Sequence, residues 1–216
     1  NERGEAPNAE EAQALASYSG WGPCPEAFST KPEWSEVREA LESLLTPDEL
    51  ASARSSVLTA YYTPKHVIAA MYAGLEALGF GRNPLRPDFL LEPSCGVGNF
   101  ITVAPEGYRV TGVEVDPLSA AIAQRIAVGA EIVCAPFEEC KFPANSYDAV
   151  IGNIPFSGEI QIPFDGIGTL AIHDYFLHRS LDAVRPGGIV AVVASRFVLD
   201  KKGERVRRGW RSVQSW

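Results

Sequence analysis

The sequence has no apolar run near the ~18 residues that a membrane-spanning helix requires. Its opening, NERGEAPNAEE, lacks the basic and then apolar pattern of a secretion signal. Four cysteines are present, Cys24, Cys95, Cys134 and Cys140. None forms a CxxC pair, and no histidine lies near Cys134 or Cys140. No metal site is therefore expected, and the thiols are expected to be reduced, in a cytoplasmic protein. Repeats and low-complexity segments are absent. Basic charge is scarce over most of the chain. Residues 1–195 carry 12 basic and 25 acidic residues, a net of −13, whereas seven basic residues face two acidic ones from Arg196 onward. Such a body repels a nucleic-acid backbone unless a local patch or another domain overcomes it.

What is there suits a folded domain with an extension. The chain has 216 residues, of which 46% are hydrophobic and 21% charged. Residues 1–58 read as a helical N-terminal extension. Asn8 with Glu11 resembles a capping pair, and Gly20 is expected to stop the helix that follows. Ser35 is expected to cap a helix whose Val37, Leu41, Leu44 and Leu45 share one face. Thr46-Pro47-Asp48-Glu49 is a strong helix start. Trp21, Phe28 and Trp34 read as packing for these helices.

Beyond residue 58 the pattern changes. Thr63 and Pro64 are expected to cap and open a helix that Gly79 ends. Strands are expected at Phe89–Leu91, Tyr108–Val113, Glu131–Cys134, Tyr147–Ile151 and Ile189–Ala194, with helices after Asp116-Pro117 and near Ile172–Val184. Alternating strands and helices imply an α/β fold with a parallel, doubly wound sheet. Its site belongs at the carboxyl ends of the strands. Residues 59–200 read as the core and residues 201–216 as an irregular basic tail. A charge run of that kind is more often a solvated face than a DNA contact. His173 and Asp174 open a helix, where capping is as good an account as a place in the site.

Two constellations carry chemistry. In Phe89–Phe100, FLLEPSCGVGNF, a buried strand runs into the small-residue loop Pro93-Ser94-Cys95-Gly96-Val97-Gly98. Gly96 and Gly98 allow positive φ and close approach of a ligand. An acid, Glu92, stands where a phosphate cradle would avoid one and would carry a Lys. It suits a ligand with a positive centre and hydroxyl groups. Glu114, about 20 residues on, can accept both hydroxyls of a ribose. Glycines and acids are common in loops, so it is their place at two strand ends that points to a nucleoside-type cofactor. The second constellation is Asn153-Ile154-Pro155-Phe156 after the fourth strand. The Asn153 side chain and the Ile154 carbonyl offer two acceptors for an amine, and Phe156 offers a face for a planar ring. The plainer reading is a turn with Asn and Pro beside a core Phe.

These residues carry a resemblance. FLLEPSCGVGNF resembles motif I, and GNIPF motif IV, of S-adenosylmethionine-dependent amino-methyltransferases. AYYTP resembles motif X of the gamma-type adenine DNA methyltransferases. In their order, YSGWG, LLTPDELASARSSVLTAYYTP, LEPSCGVGNF, GVEVDP, IGNIPF, IHDYF and VRPGGIVAVVASRFVLDK resemble the methylase part of large methylase–helicase proteins of phages and conjugative elements. The resemblance implies a Rossmann-like class I methyltransferase fold, with S-adenosyl-L-methionine as cofactor and the adenine amine of DNA as acceptor. It implies that Tyr62, Thr63 and Pro64 border the methionine end of the cofactor. Glu92, Pro93, Ser94, Gly96, Gly98, Asn99 and Phe100 would surround its amino-acid part and sulfonium. Glu114, with Val115 beside it, would hold the ribose, and Phe137 would stack on the adenine. Asn153, Ile154, Pro155 and Phe156 would form the catalytic loop.

The sequence departs from the family pattern at three points. The usual acid after the third strand is missing from Ala135-Pro136-Phe137, unless Glu138 replaces it. Ile154 stands in place of a first Pro. No strand pattern follows Asp200, so about five strands are expected rather than seven, with the fifth at the sheet edge. Contacts to DNA are expected mainly through regions absent from this chain, with a helicase domain or partner subunit, and no membrane. Two other readings remain at this point: a truncated, non-catalytic cofactor-binding or antirestriction module, and a methyltransferase acting on RNA bases or protein glutamine.

Overall fold

Asn8 opens helix α1 (Ala9–Ala16): its side chain accepts from the N–H groups of Glu10 and Glu11, and the Glu11 carboxylate returns to the Asn8 N–H. The same reciprocal box, with Thr46 and Glu49 around Pro47, opens α3 (Pro47–Ser56). Both starts are as the sequence predicts. The structure, a computed structural model, describes residues 7–57, 61–157, 160–164 and 168–195. The tail expected to be irregular, from residue 201, and the residues on either side of the 58/59 boundary, 58–60, lie outside the described residues.

Helix α2 (Ser35–Leu44) differs from expectation. Ser35 lies inside the helix rather than capping it, and its hydroxyl donates to the Pro32 carbonyl. The apolar face of α2 is not buried; Leu44 is 78% exposed. Gly20 does not stop α1, which ends at Ala16. Within the aromatic loop the Trp21 and Phe28 rings lie edge to face at 5.2 Å, and Trp34 holds the cap position of α2.

Helix α4 (Lys65–Ala77) starts one residue later than expected. Pro64 holds the cap position in extended conformation, and Thr63 lies outside the helix without capping it. Gly79, at φ +99°, follows the helix end.

The strands are β1 (Asp88–Glu92), β2 (Tyr108–Glu114), β3 (Glu131–Cys134), β4 (Tyr147–Asn153), β5 (Gln161–Phe164), β6 (Gly168–Ala171) and β7 (Val184–Val193). Five are parallel, in the order β3-β2-β1-β4-β7. The order reverses between β1 and β4, which opens a crevice at their carboxyl ends. β7 begins five residues before the expected strand. Its Arg185–Gly188 stretch runs beside β4 across a register shift between Tyr147 and Ala149. Among the described residues β7 is at the sheet edge, as expected. The pair β5–β6, antiparallel and separate from the main sheet, was not expected from the sequence.

Alternation along the strands divides the core. Leu90, Val110, Ala149 and Ile151 face the layer of α4, the short helix α5 (Asn99–Thr102) and α6 (Pro117–Ile126). Leu91, Val113 and Val150 face α7 (Ile172–Ala183) and the β5–β6 pair. At the amino-terminal edge, the buried Asp148 carboxylate accepts from Phe89 N–H, Arg185 and Arg86. Burial pushes its pKa up, but the Phe89 N–H and the two guanidinium groups hold it below the usual range. Among the described residues no helix is long and apolar enough to cross a membrane, and no cluster of His, Cys, Asp or Glu could hold a metal ion.

Candidate active site

A cleft of ≈310 Å³ opens at the carboxyl ends of β1, β2 and β4. Gly96 and Gly98 take φ of +54° and +81° after β1, so the chain turns sharply into α5. The Gly96 N–H donates to Glu114 Oε2 at 2.7 Å, and the Asp116 N–H donates to Glu114 Oε1 at 2.8 Å. Burial pushes the Glu114 pKa up while these N–H groups pull it down, with a net rise. Ser94 Oγ donates to the Asn153 main-chain carbonyl at 2.8 Å, which ties the loop after β1 to the end of β4.

Three buried polar atoms of this cleft have no hydrogen-bond partner: Glu92 Oε2, Thr63 Oγ1 and Asn153 Oδ1. Buried polar atoms are nearly always paired, so three in one cleft mark it as built for a ligand. Glu92 is 1% exposed. Burial first, and the Glu114 charge second, push its pKa well above the usual carboxylate range. A cationic ligand would reverse that. The orientation of Asn153 is fixed: Nδ2 donates to the Tyr61 carbonyl at 2.7 Å, an atom that can only accept. Oδ1 is thereby left as an acceptor.

Most residues expected at the site line the cleft. They are Tyr62, Thr63, Glu92, Pro93, Ser94, Gly96, Asn99, Phe100, Glu114, Val115, Phe137, Glu138, Asn153 and Pro155. Four do not line it. Pro64 caps α4. Gly98 lets the loop pack on α6, where an added Cβ would lie 3.5 Å from Ala123 Cβ. Ile154 is fully buried, with its N–H donating to the Val193 carbonyl. Phe156 stands beside Tyr61. Phe137 reaches the cleft but is committed to the core, 4.8 Å from the Phe176 ring. Val115, 62% exposed, offers an apolar surface there. Glu138 lines the cleft near the position of the missing acid. His173 and Asp174 are buried, and neither caps α7, whose cap residue is Ala171.

Sequence reasoning missed the contribution of the N-terminal extension. Ser52, Ser55 and Ser56 of α3 line the cleft. Ser52 Oγ donates to Asp116 Oδ1, while Asp116 Oδ2 caps α6 through the Ser119 N–H. Burial, with Asp116 nearby, pushes the Tyr18 phenol up to about 12. The signal was available in Asp116-Pro117, a helix start whose carboxylate has a second oxygen to offer.

Gly96 carries a prediction. An added Cβ would overlap the Tyr62 ring, and φ of +54° disfavours any side chain. Gly96→Ala is expected to destabilise the fold by about 2 kcal/mol. A denaturant midpoint equal to that of the wild type would refute the close approach of loop and ring.

Comparison with known proteins agrees with this geometry. Residues 91–154, which run from the end of β1 to the start of the loop after β4, match the family model described as a methyltransferase domain. The fold is that of the class I methyltransferases, and residues 91–154 carry the matched methyltransferase domain. Its cofactor is S-adenosyl-L-methionine. The chain is 30% identical over 155 residues to "Defense against restriction protein B" of Escherichia phage P1, covering 68% of this chain and 6% of that protein. It is 34% identical over 99 residues to "Type II methyltransferase M.CvrRI" of Paramecium bursaria Chlorella virus XZ-6E, covering 44% of this chain and 24% of that protein. The chain thus spans under a quarter of the length of both relatives. The methyltransferase subunit of a type I restriction-modification system from Streptococcus thermophilus shares the fold, with a TM-score of 0.57 at 19% identity over 82% of this chain and 46% of that one. The expected likeness to viral DNA methylases is borne out by these matches, as is the expected fold class.

Proposed function

We propose that this domain transfers the methyl group of S-adenosylmethionine to the exocyclic amino group of adenine in DNA. The observation that carries the reading is Asn153: its Nδ2 is held by the Tyr61 carbonyl, and its buried Oδ1 is left as an acceptor at the cofactor cleft. The orphaned atoms fit the cofactor. Glu92 Oε2 would hold its cationic amino-acid end, Thr63 Oγ1 would bond that end as well, and the lone pairs remaining on Glu114 would accept from the ribose. When bound, the cofactor supplies an electrophilic methyl on a sulfonium.

The residues of the chain prepare the nucleophile. Asn153 Oδ1 and the Ile154 carbonyl accept the two amine hydrogens, which draws the nitrogen lone pair out of conjugation with the ring. Pro155 stiffens the loop, and Phe156 stacks on the base. With the cofactor bound, that nitrogen would be placed to accept the methyl group, and the proton the amine gives up would pass to water. No strong base is required, because orientation and strengthening hydrogen bonds supply most of the acceleration.

The substrate class rests on the motif order and on the likeness to "Defense against restriction protein B" and "Type II methyltransferase M.CvrRI". The net charge of −13 over residues 1–195 supports the reading that most DNA contacts come from a helicase domain or a partner subunit. The helical extension, residues 1–58, serves the core, residues 59–200, by closing the cofactor cleft with α3. A cytoplasmic location fits this role.

The test is transfer of tritiated methyl from the cofactor to mixed-sequence unmethylated DNA, RNA and protein, using the full-length protein, followed by digestion. Label is expected in N6-methyladenine from DNA. Label in RNA bases or glutamine side chains, or cofactor binding without transfer to any acceptor, would overturn the reading.

A further inference from the structure

The order of the strands sets the order of the ligand. The cleft crosses the carboxyl ends of β4, β1, β2 and β3, which are neighbours in that order in the sheet. Neighbouring strands lie ~4.8 Å apart. Asn153 ends β4, Glu92 ends β1, Glu114 ends β2, and Ala135 follows β3. A ribose held by Glu114 therefore has the amino-acid arm on its β1 side and the base on its β3 side. On that side the cleft is lined by Val115, Ala135, Pro136, Phe137 and Glu138. Only Glu138 among them has a polar side chain, and it is exposed. The Ala135 N–H donates to the Glu114 carbonyl at 3.0 Å, and Pro136 has no N–H. The Pro136 carbonyl already accepts from the Glu139 N–H at 3.0 Å and from Cys140 Sγ at 3.4 Å. The unpaired buried polar atoms lie toward the other end. Glu92 Oε2 and Asn153 Oδ1 belong to β1 and β4, and Thr63 Oγ1 is two residues from Tyr61, whose carbonyl bonds Asn153.

A site discriminates strongly where a missing ligand group leaves a buried polar partner unpaired. An exposed carboxylate that loses its partner takes water instead, and the loss is about tenfold or less. We infer that the cleft selects its cofactor at the amino-acid end and leaves the amine edge of the purine unread, so that a cofactor with an altered purine amine binds nearly as well. Val115 and Pro136 are the specificity-determining residues, because their side chains line the base end of the cleft and carry no donor or acceptor. The inference rests on the reading that Glu114 takes the ribose, and it is independent of the acceptor of the methyl group. The ligand class is a thioether or sulfonium nucleoside with an amino-acid arm and a purine of the size of adenine.

The experiment is calorimetry on the full-length protein with three ligands. They are S-adenosylhomocysteine, its 6-deamino analogue with hydrogen in place of the purine amine, and 5′-methylthioadenosine, which keeps the nucleoside and loses the amino-acid arm. The 6-deamino analogue is expected to bind within about tenfold of S-adenosylhomocysteine, in wild type and in Glu138→Gln alike. Methylthioadenosine is expected to bind more than about tenfold more weakly, because Glu92 Oε2 and Thr63 Oγ1 then stay unpaired. A larger loss for the 6-deamino analogue in wild type overturns the inference and leaves the cofactor site intact; if Glu138→Gln removes that loss, Glu138 reads the amine. Methylthioadenosine bound within about tenfold of S-adenosylhomocysteine overturns it as well. Glu114→Ala controls the placement and is expected to bind S-adenosylhomocysteine more weakly. If it binds as the wild type does, the ribose reading falls, and this inference falls with it.

Discussion

Glu92→Gln is expected to weaken S-adenosylmethionine binding by about 10- to 100-fold, the loss of one charge-assisted contact in a dry site. The substitution keeps shape and acceptor capacity but removes the charge that the cationic end of the cofactor requires. It has an opposite effect on the free protein. The Glu92 pKa is raised in the folded chain, first by burial and then by Glu114. Between the ordinary carboxylate range and that raised value, the folded chain holds a proton that the unfolded chain has lost. Stability from this group is fully present at low pH and is lost as pH rises through the window. Glu92→Gln removes that loss, so the variant is expected to be more stable than wild type at neutral pH, by denaturant midpoint. In the wild type, a bound cation favours the carboxylate. Binding should therefore release a proton and tighten as pH rises. Affinity independent of both pH and the substitution would remove Glu92 from the site.

Asn153→Ala is expected to lower the rate of methyl transfer by about 100- to 1,000-fold, the usual effect of deleting one preorganised hydrogen-bonding group at a reacting centre. Single-turnover transfer to DNA reports it directly. Asn153 Oδ1 has no partner within the protein, so its removal strands no donor. The Tyr61 carbonyl loses its donor instead. A tenfold loss or less would mean that the main-chain acceptor carries the chemistry without the side chain.

Much of the fold was legible because local signals and the global plan agree. The Thr46 box, the bounds of β3 and the alternation of strands and helices are all set by nearby residues. The glycine loop and Glu92 were legible for the same reason: small residues after a buried strand have few other uses. What was missed depends on long-range contacts or on weak local signals. Ser52 meets Asp116 across 64 residues, and Tyr61 orients Asn153 across 92. Ser52 looked like any helix-surface serine. The β5–β6 pair escaped because Pro163 cannot donate to a strand ladder and argues against a strand. α2 shows the reverse: its periodicity is real, but none of its residues is fully buried among the described residues. Phe137 has the position of a stacking residue, yet the neighbouring rings of Phe142, Tyr175 and Phe176 claim it for the core.

The central claim is that the cleft between β1 and β4 is a cofactor site with Glu92 as its buried counter-charge and Asn153 at the transfer point. A crystal structure of the chain with S-adenosylhomocysteine tests it most directly. The account predicts the ammonium beside Glu92 Oε2, the ribose hydroxyls on Glu114, and the sulfur facing the Asn153 loop. Density for the ligand outside this cleft, or inside it with Glu92 untouched, would contradict it.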